Sequence, residues 1–357
     1  MIQQHNFNSG PSILPQTVLQ QAAQAIIEYN NTGLSLLELG HRTTHFIAII
    51  EEAKTLVKQL MQLNDDYEVL FMHGGATTQF MQVPMNLLDN DQTAAYCDNG
   101  IWGSKAIKEA QLFGNVNVVS STANQNYTCI NEVFELPNNA AYLHITTNNT
   151  VEGTQWNNFP TTNIPLIADM SSDIFSRPIN FNQFAFIYAG AQKNMGAAGV
   201  NLVVVRKDIL GKIKRPIPAI MNYQNHINAG SLLNTPPVFA VYVAMLTLRW
   251  IVAEGGLVEM EKRAQQKSNL LYNTIDALPL FHCPIAKENR SNMNAVFFIE
   301  NENLQNQFLD LCKVNGMVGV KGYRTVGGIR VSMYNALAME SVVAFTNLMQ
   351  TFAAENS

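Results

Sequence analysis

Tyr188-Ala189-Gly190-Ala191-Gln192-Lys193-Asn194-Met195-Gly196-Ala197-Ala198-Gly199 holds one lysine between two β-like runs, 184–188 and 200–205, in a frame of small residues. An amine is disfavoured in such dry, glycine-lined surroundings unless it has a specific task, because burial penalises its charge. The same burial lowers its pKa and keeps it nucleophilic, which suits Schiff-base chemistry with an aldehyde cofactor. Upstream, Ile164-Pro165-Leu166-Ile167-Ala168-Asp169 ends an apolar strand on one carboxylate. Taken singly, a loop lysine is commonly a solvated turn residue and a strand-end aspartate commonly a cap. In this order the two point to pyridoxal phosphate (PLP), with Lys193 at its aldehyde and Asp169 keeping its pyridine nitrogen protonated.

Outward from this stretch, β-like and helical runs alternate. Strands are expected at 67–72, 93–98, 116–120, 142–146, 164–170, 184–188 and 201–205, and helices at 16–31, 45–63, 78–88 and 102–113. Such alternation implies an α/β fold with a mostly parallel sheet and helices on both faces. An apolar helix near 239–253 is followed by Gly255-Gly256 and a long amphipathic helix at 257–278. Beyond it, strands at 295–300 and 328–334 with helices at 303–314 and 339–353 read as a smaller α+β domain. The expected division is a large domain at 15–258 and a small domain built from 1–14 and 259–357.

The 357 residues, 47% of them hydrophobic, can bury a large core and two domains. Charged residues make up 14% and the net charge is −5 without a basic cluster, so nucleic acid is not an expected partner. The longest apolar window, 238–248, falls short of the roughly 20 residues of a membrane span. The opening Met1–Asn6 lacks the basic and apolar regions of a signal peptide. Cys97, Cys129, Cys283 and Cys312 are scattered without metal-ligand or disulfide-framework spacing, so no metal is expected. A cytoplasmic enzyme is the expectation.

Three further segments offer cofactor contacts. His73-Gly74-Gly75-Ala76-Thr77-Thr78-Gln79-Phe80 follows a strand and opens a helix, where free backbone N–H groups suit a phosphate. An ordinary tight turn reads the same way, and no GxSxG, Walker A or GxGxxG sequence occurs elsewhere. Asn99-Gly100-Ile101-Trp102-Gly103 puts an indole at the carboxyl edge of the sheet, where open α/β folds bind ligands and a flat ring could stack. Thr150, after the 142–146 strand, offers a hydroxyl to the cofactor's phenolate oxygen.

These segments, with Asn6–Pro11, Gly40-His41-Arg42, Asp169–Ser172, Ser176–Pro178, Asn234–Pro237 and Lys321–Arg330, resemble the phosphoserine aminotransferases almost end to end. These are fold-type-I PLP enzymes of the class V aminotransferase group. The resemblance implies that Lys193 carries PLP, Asp169 pairs with the ring nitrogen, Trp102 stacks and Thr150 contacts the phenolate. It also implies that Ala76 and Thr77 with Gln192 hold the cofactor phosphate, joined by Asn234 and Thr235 of a neighbouring subunit in a homodimer with shared active sites. Substrate-binding residues fall on His41, Arg42, Arg324 and Arg330.

The implied reaction moves an amino group between L-glutamate and 3-phosphohydroxypyruvate, giving O-phospho-L-serine and 2-oxoglutarate. It extends to 4-phosphohydroxythreonine in pyridoxine biosynthesis in some members. Because the net charge is negative, recognition of these anions falls to local arginines. Arg330 is the candidate for the α-carboxylate, and Arg42, Arg324 and His41 for the distal group. The family commonly has histidine where this chain has Tyr323, and some members have arginine in place of Thr77. A phenol donates one hydrogen bond but carries no positive charge at neutral pH. That leaves a class V aminotransferase acting on unphosphorylated keto acids as the alternative. A desulfurase is disfavoured by the cysteine positions, and a non-catalytic scaffold by the co-occurrence of Lys193, Asp169, Trp102 and Thr150.

Overall fold

A computed structural model describes residues 3–137 and 139–356 of the chain. Seven strands form its main sheet in the spatial order Tyr67–His73, Val200–Arg206, Phe186–Gly190, Leu166–Asp169, Ala140–Thr146, Thr93–Asp98 and Asn115–Ser121. Val200–Arg206 runs antiparallel to both of its neighbours. The remaining pairings are parallel. The result is the expected mostly parallel, mixed sheet.

Side-chain alternation explains why the sheet is covered twice. Val69, Phe71, Leu143, Ile145, Ile187 and Leu202 enter one core, whereas Leu70, Met72, Tyr142, Tyr188 and Val203 enter the other. Successive strand residues point to opposite faces, and here both sets are apolar. The helices Thr44–Met61 and Val238–Ala253 pack on the first face, and Ala76–Leu87 with Ile101–Ala110 on the second.

The small sheet pairs Asn294–Phe297 with Ile329–Ser332 antiparallel. Its core gathers Phe7, Leu271, Phe297, Phe308 and Phe345. His5–Asn6 lies parallel to Met317–Val318, so the N-terminal segment packs with the C-terminal part of the chain. The helix Gly256–Ala277 gives Leu257 and Met260 to the large core and Leu271 and Ile275 to the small one.

Differences from the sequence expectation have local causes. The helix expected at 16–31 stops at Ile27, because Glu28 is extended and Asn30 and Asn31 take positive φ. The strand expected from 164 starts at Leu166, just after Pro165, which has no N–H for a ladder. The strand expected at 184–188 lies at Phe186–Gly190, two residues nearer Lys193. The two-residue strands Asn148–Asn149 and Thr154–Gln155 are too short to leave a periodic signal. All four cysteines are free. No single helix among the described residues is long and apolar enough to cross a membrane, and Val238–Ala253 meets Gly256–Ala277 at an 84° bend.

Candidate active site

Parallel strands deliver their carboxyl ends to one edge of the sheet, and five such ends build the site. Asp169 ends Leu166–Asp169, and Lys193 follows Phe186–Gly190, its immediate neighbour. Thr146 and Thr150 come from the strand on the other side of Asp169, and Trp102 from the next one. Gly75, Ala76 and Thr77 come from the edge strand Tyr67–His73. The antiparallel Val200–Arg206 ties that loop to the lysine loop: His73 pairs with Val200, Gly74 N donates to Gly199 O at 3.0 Å, and Asn201 Nδ2 donates to Gly75 O at 2.9 Å.

The lysine loop is closed by its own backbone. Ala191 N donates to Val200 O at 3.1 Å and Gly196 N to Ala191 O at 2.7 Å. A Cβ on Gly196 would lie 3.0 Å from the Ala244 Cα, so glycine lets the helix Val238–Ala253 press against this loop. From the N-terminal segment, Ser12 N donates to Gln192 O at 2.9 Å and the Ser12 hydroxyl to Lys193 O.

Lys193 Nζ donates to Thr150 Oγ1 at 2.9 Å. Burial lowers its pKa to about 8, with Asp169 working in the opposite direction. An amine near 8 exists partly in its neutral, nucleophilic form at neutral pH. Asp169 is 4% exposed, and its Oδ1 accepts from Ser171 N at 2.9 Å. Burial raises its pKa, against hydrogen bonding from Ser171 and the charge of Lys193. A protonated ring nitrogen facing it would favour the ionised carboxylate.

The residues fit PLP on observations of the chain itself. The helix Ala76–Leu87 starts after Gly75 with no side-chain cap and no acidic residue in its first turn; Thr78 N donates to Gly75 O at 2.9 Å, which leaves the Ala76 and Thr77 N–H groups available to an anion. Trp102 Nε1 and Thr146 Oγ1 are buried beside this cavity without hydrogen-bond partners. Phe80 supports the indole at 6.4 Å between ring centres. Ala76, Thr77, Trp102, Thr150, Asp169, Gln192 and Lys193 line one cavity, joined by Gly75, Phe80, Thr146, Asn148, Ser171 and Ser172. Of these, Ser171 and Ser172 follow directly on Asp169 in a motif visible in the sequence; Phe80, Thr146 and Asn148 had no separate signal.

Arg330 approaches from the small sheet, opposite Val296 in register. It is 8% exposed, its Nη2 donates to Ser9 Oγ at 2.7 Å, and its Nε is buried without a partner. Its charge acts directly on the Lys193 amine. Within the single chain, His41, Arg42, Asn234, Thr235, Arg324 and Arg330 do not line the Lys193 cavity among the described residues. Arg42, Thr235 and Arg324 are exposed, and Asn234 Nδ2 lies 3.2 Å from His73 Nδ1. Among the described residues no group of three or more His, Cys, Asp or Glu side chains is placed to hold a metal ion.

Residues 4–345 match the family model described as aminotransferase class-V. A curated phosphoserine aminotransferase of Flavobacterium johnsoniae is 48% identical over 355 residues, covering 99% of this chain and 100% of its own. A solved phosphoserine aminotransferase from Bacillus circulans subsp. alkalophilus is 41% identical with a TM-score of 0.97, covering 99% of both chains. The solved PLP-bound phosphoserine aminotransferase from Trichomonas vaginalis is 33% identical with a TM-score of 0.91, covering 98% of this chain and 100% of that one.

Proposed function

The chain belongs to the class V aminotransferases, and on that premise we propose how its own residues carry out transamination. It is a PLP-dependent phosphoserine aminotransferase of fold type I, exchanging an amino group between L-glutamate and 3-phosphohydroxypyruvate. The alternative of unphosphorylated keto acids is not favoured, because the relatives matched over their full length are phosphoserine aminotransferases. The observation that carries the residue assignment is the convergence of Lys193, Asp169, Trp102 and the Ala76 helix start on one cavity. A donor–acceptor panel tests the function: glutamate should serve phosphohydroxypyruvate far better than plain hydroxypyruvate. Equal use of both would contradict it.

When bound, PLP supplies an electrophilic carbonyl and a ring that draws electrons from the substrate's Cα. Lys193 is the residue to hold that carbonyl, and its Nζ moves the proton at Cα as general base. Asp169 holds a proton on the ring nitrogen, and Trp102 covers one ring face and excludes water. Ala76, Thr77 and Gln192 hold the phosphate, and Thr150 orients the phenolate oxygen. Arg330 binds the α-carboxylate through a guanidinium whose Nε is still free. Thr77 and Tyr323 supply no cation, so the distal phosphate falls to Arg42 and Arg324 with His41.

We further infer a homodimer, in which His41, Arg42, Asn234 and Thr235 serve a neighbour's site. Supporting it, exposed Arg42 is flanked in sequence by exposed Ile27, Leu34, Leu37 and Ile47, an apolar set that suits a second copy. Size-exclusion chromatography with light scattering should give twice the chain mass, and a monomer with full activity would contradict this. The division into 15–258 and 1–14 with 259–357 is proposed on the separation of the small core from the two cores that flank the main sheet. A cytoplasmic location and a role in pyridoxine synthesis belong to the same reading; activity on 4-phosphohydroxythreonine tests the latter.

A further inference from the structure

Glu152 puts a carboxyl in the interior, 5% exposed, on the same turn as Thr150. That turn, 150–153, joins the paired strands Asn148–Asn149 and Thr154–Gln155. Gly153 N closes it by donating to Asn149 O at 2.8 Å, and Asn149 Nδ2 donates across it to Thr154 Oγ1 at 2.9 Å. Thr150 Oγ1 receives Lys193 Nζ at 2.9 Å. One closed turn thus holds both the hydroxyl beside the amine and the buried carboxyl. Among the described residues Glu152 does not itself line the Lys193 cavity.

Its carboxyl reaches the helix that carries Trp102. In Ile101–Ala110 the first internal bond runs from Ser104 N to Gly100 O at 3.0 Å, which leaves the Ile101 N–H without a partner in its own helix. Gly100 has no side chain to cap it, and Glu152 Oε1 accepts from Ile101 N at 2.8 Å instead. An acidic group at this end of a helix is also favoured by the helix dipole. Gly100 makes room for the contact: a Cβ there would stand 2.5 Å from Asn149 Oδ1 and 2.9 Å from Glu152 Oε2. Both of those oxygens are buried without a hydrogen-bond partner. Burial pushes the Glu152 carboxyl up to about 7, so its neutral form, which brings a donor to this pair of acceptors, is populated at neutral pH.

We propose that Glu152 is a positioning residue of this reaction. By bonding Ile101 N from the turn that carries Thr150, it fixes the Trp102 indole relative to the hydroxyl beside Lys193. Trp102 is the next residue after Ile101, and its ring lines the Lys193 cavity. The inference rests on the transaminase reading and deepens it, because the indole is the surface assigned to the cofactor ring.

The test compares Glu152→Ala with Glu152→Gln in the full-length protein. Cofactor-free Glu152→Ala should bind PLP about five- to twentyfold more weakly in a fluorescence titration. In the holoenzyme kcat should fall by a similar factor, and the visible circular dichroism of the cofactor, which reports how its ring is held, should drop by about half. Glu152→Gln keeps an acceptor for Ile101 N and should stay within about twofold of wild type on all three readouts. If Glu152→Ala does not fold, Gly100→Ala, whose methyl crowds the same carboxyl, takes its place with the same expected losses. Wild-type PLP affinity and dichroism in the alanine variant would overturn the proposal, as would a glutamine variant that loses as much as alanine. A double-mutant cycle with Trp102→Ala separates positioning from general destabilisation. In that background Glu152→Ala should weaken PLP binding by less than about twofold further, and fully independent losses would also overturn the proposal. Labelling of Lys193 by borohydride in the wild-type enzyme tests the underlying reading separately.

Discussion

Lys193 at the sheet edge and Lys267 in the small core are both held away from water, and burial lowers their amines to about 8 and about 7. Their surroundings differ in what is left open. Lys267 is 2% exposed, and its Nζ donates to two fixed carbonyls, Tyr334 O and Leu337 O, at 2.7 and 3.1 Å. Lys193 makes one side-chain bond, to Thr150, and faces a cavity that also holds Asp169. Asp169 draws the Lys193 amine back toward its ordinary value, whereas Arg263 pushes Lys267 further down. A depressed amine is therefore no sign of catalysis by itself. Unused donor capacity beside a carboxylate and a cavity separates the reactive lysine from the structural one.

The largest effects are expected at the amines. Lys193→Ala should lower turnover by about 10⁴-fold or more while the thermal unfolding midpoint is kept, read by steady-state kinetics and calorimetry. Asp169→Asn should cost about a hundredfold in kcat, because the amide cannot hold the ring nitrogen protonated. Arg330→Ala should lower kcat/KM for glutamate and for the keto acid alike, by about ten- to a hundredfold, since both present an α-carboxylate. A loss confined to one substrate would reassign Arg330 to the distal group.

Lys267→Met should behave in the opposite way. Two buried carbonyls lose their donor, so stability falls by about 2 kcal/mol in denaturant titration, with turnover within about twofold of the parent. The pH dependence sharpens the contrast. The folded value of Lys267, about 7, lies below the ordinary 10.5, so between them the unfolded chain binds more protons. Its contribution to stability thus rises with pH through that window, and Lys267→Met should flatten the rise between pH 7 and 10. The smallest effect concerns Lys193 in the cofactor-free protein, whose acylation rate should climb up to about pH 8 and level off, unchanged by Lys267→Met.

The sequence carried much of this and withheld the rest for physical reasons. Strand–helix alternation with apolar runs on both faces made the parallel sheet legible. Lys193 and Asp169 stood out because charged side chains at the ends of buried strands conflict with their neighbours. Lys267 gave no such signal, since a lysine on a long amphipathic helix reads as solvated. Ser9 and Tyr334 are 325 positions apart and become partners only when the N-terminal segment packs with the C-terminal part. Arg42, Asn234 and Thr235 were legible by resemblance, but one chain alone does not bring them to its own cavity.

Reduction of the yellow holoenzyme with borohydride, followed by peptide mapping, addresses the central assignment most directly. The account predicts a phosphopyridoxyl group on the peptide containing Lys193 and none on the Lys267 peptide. Stable labelling of another lysine, or a colourless protein that takes up no PLP, would contradict it.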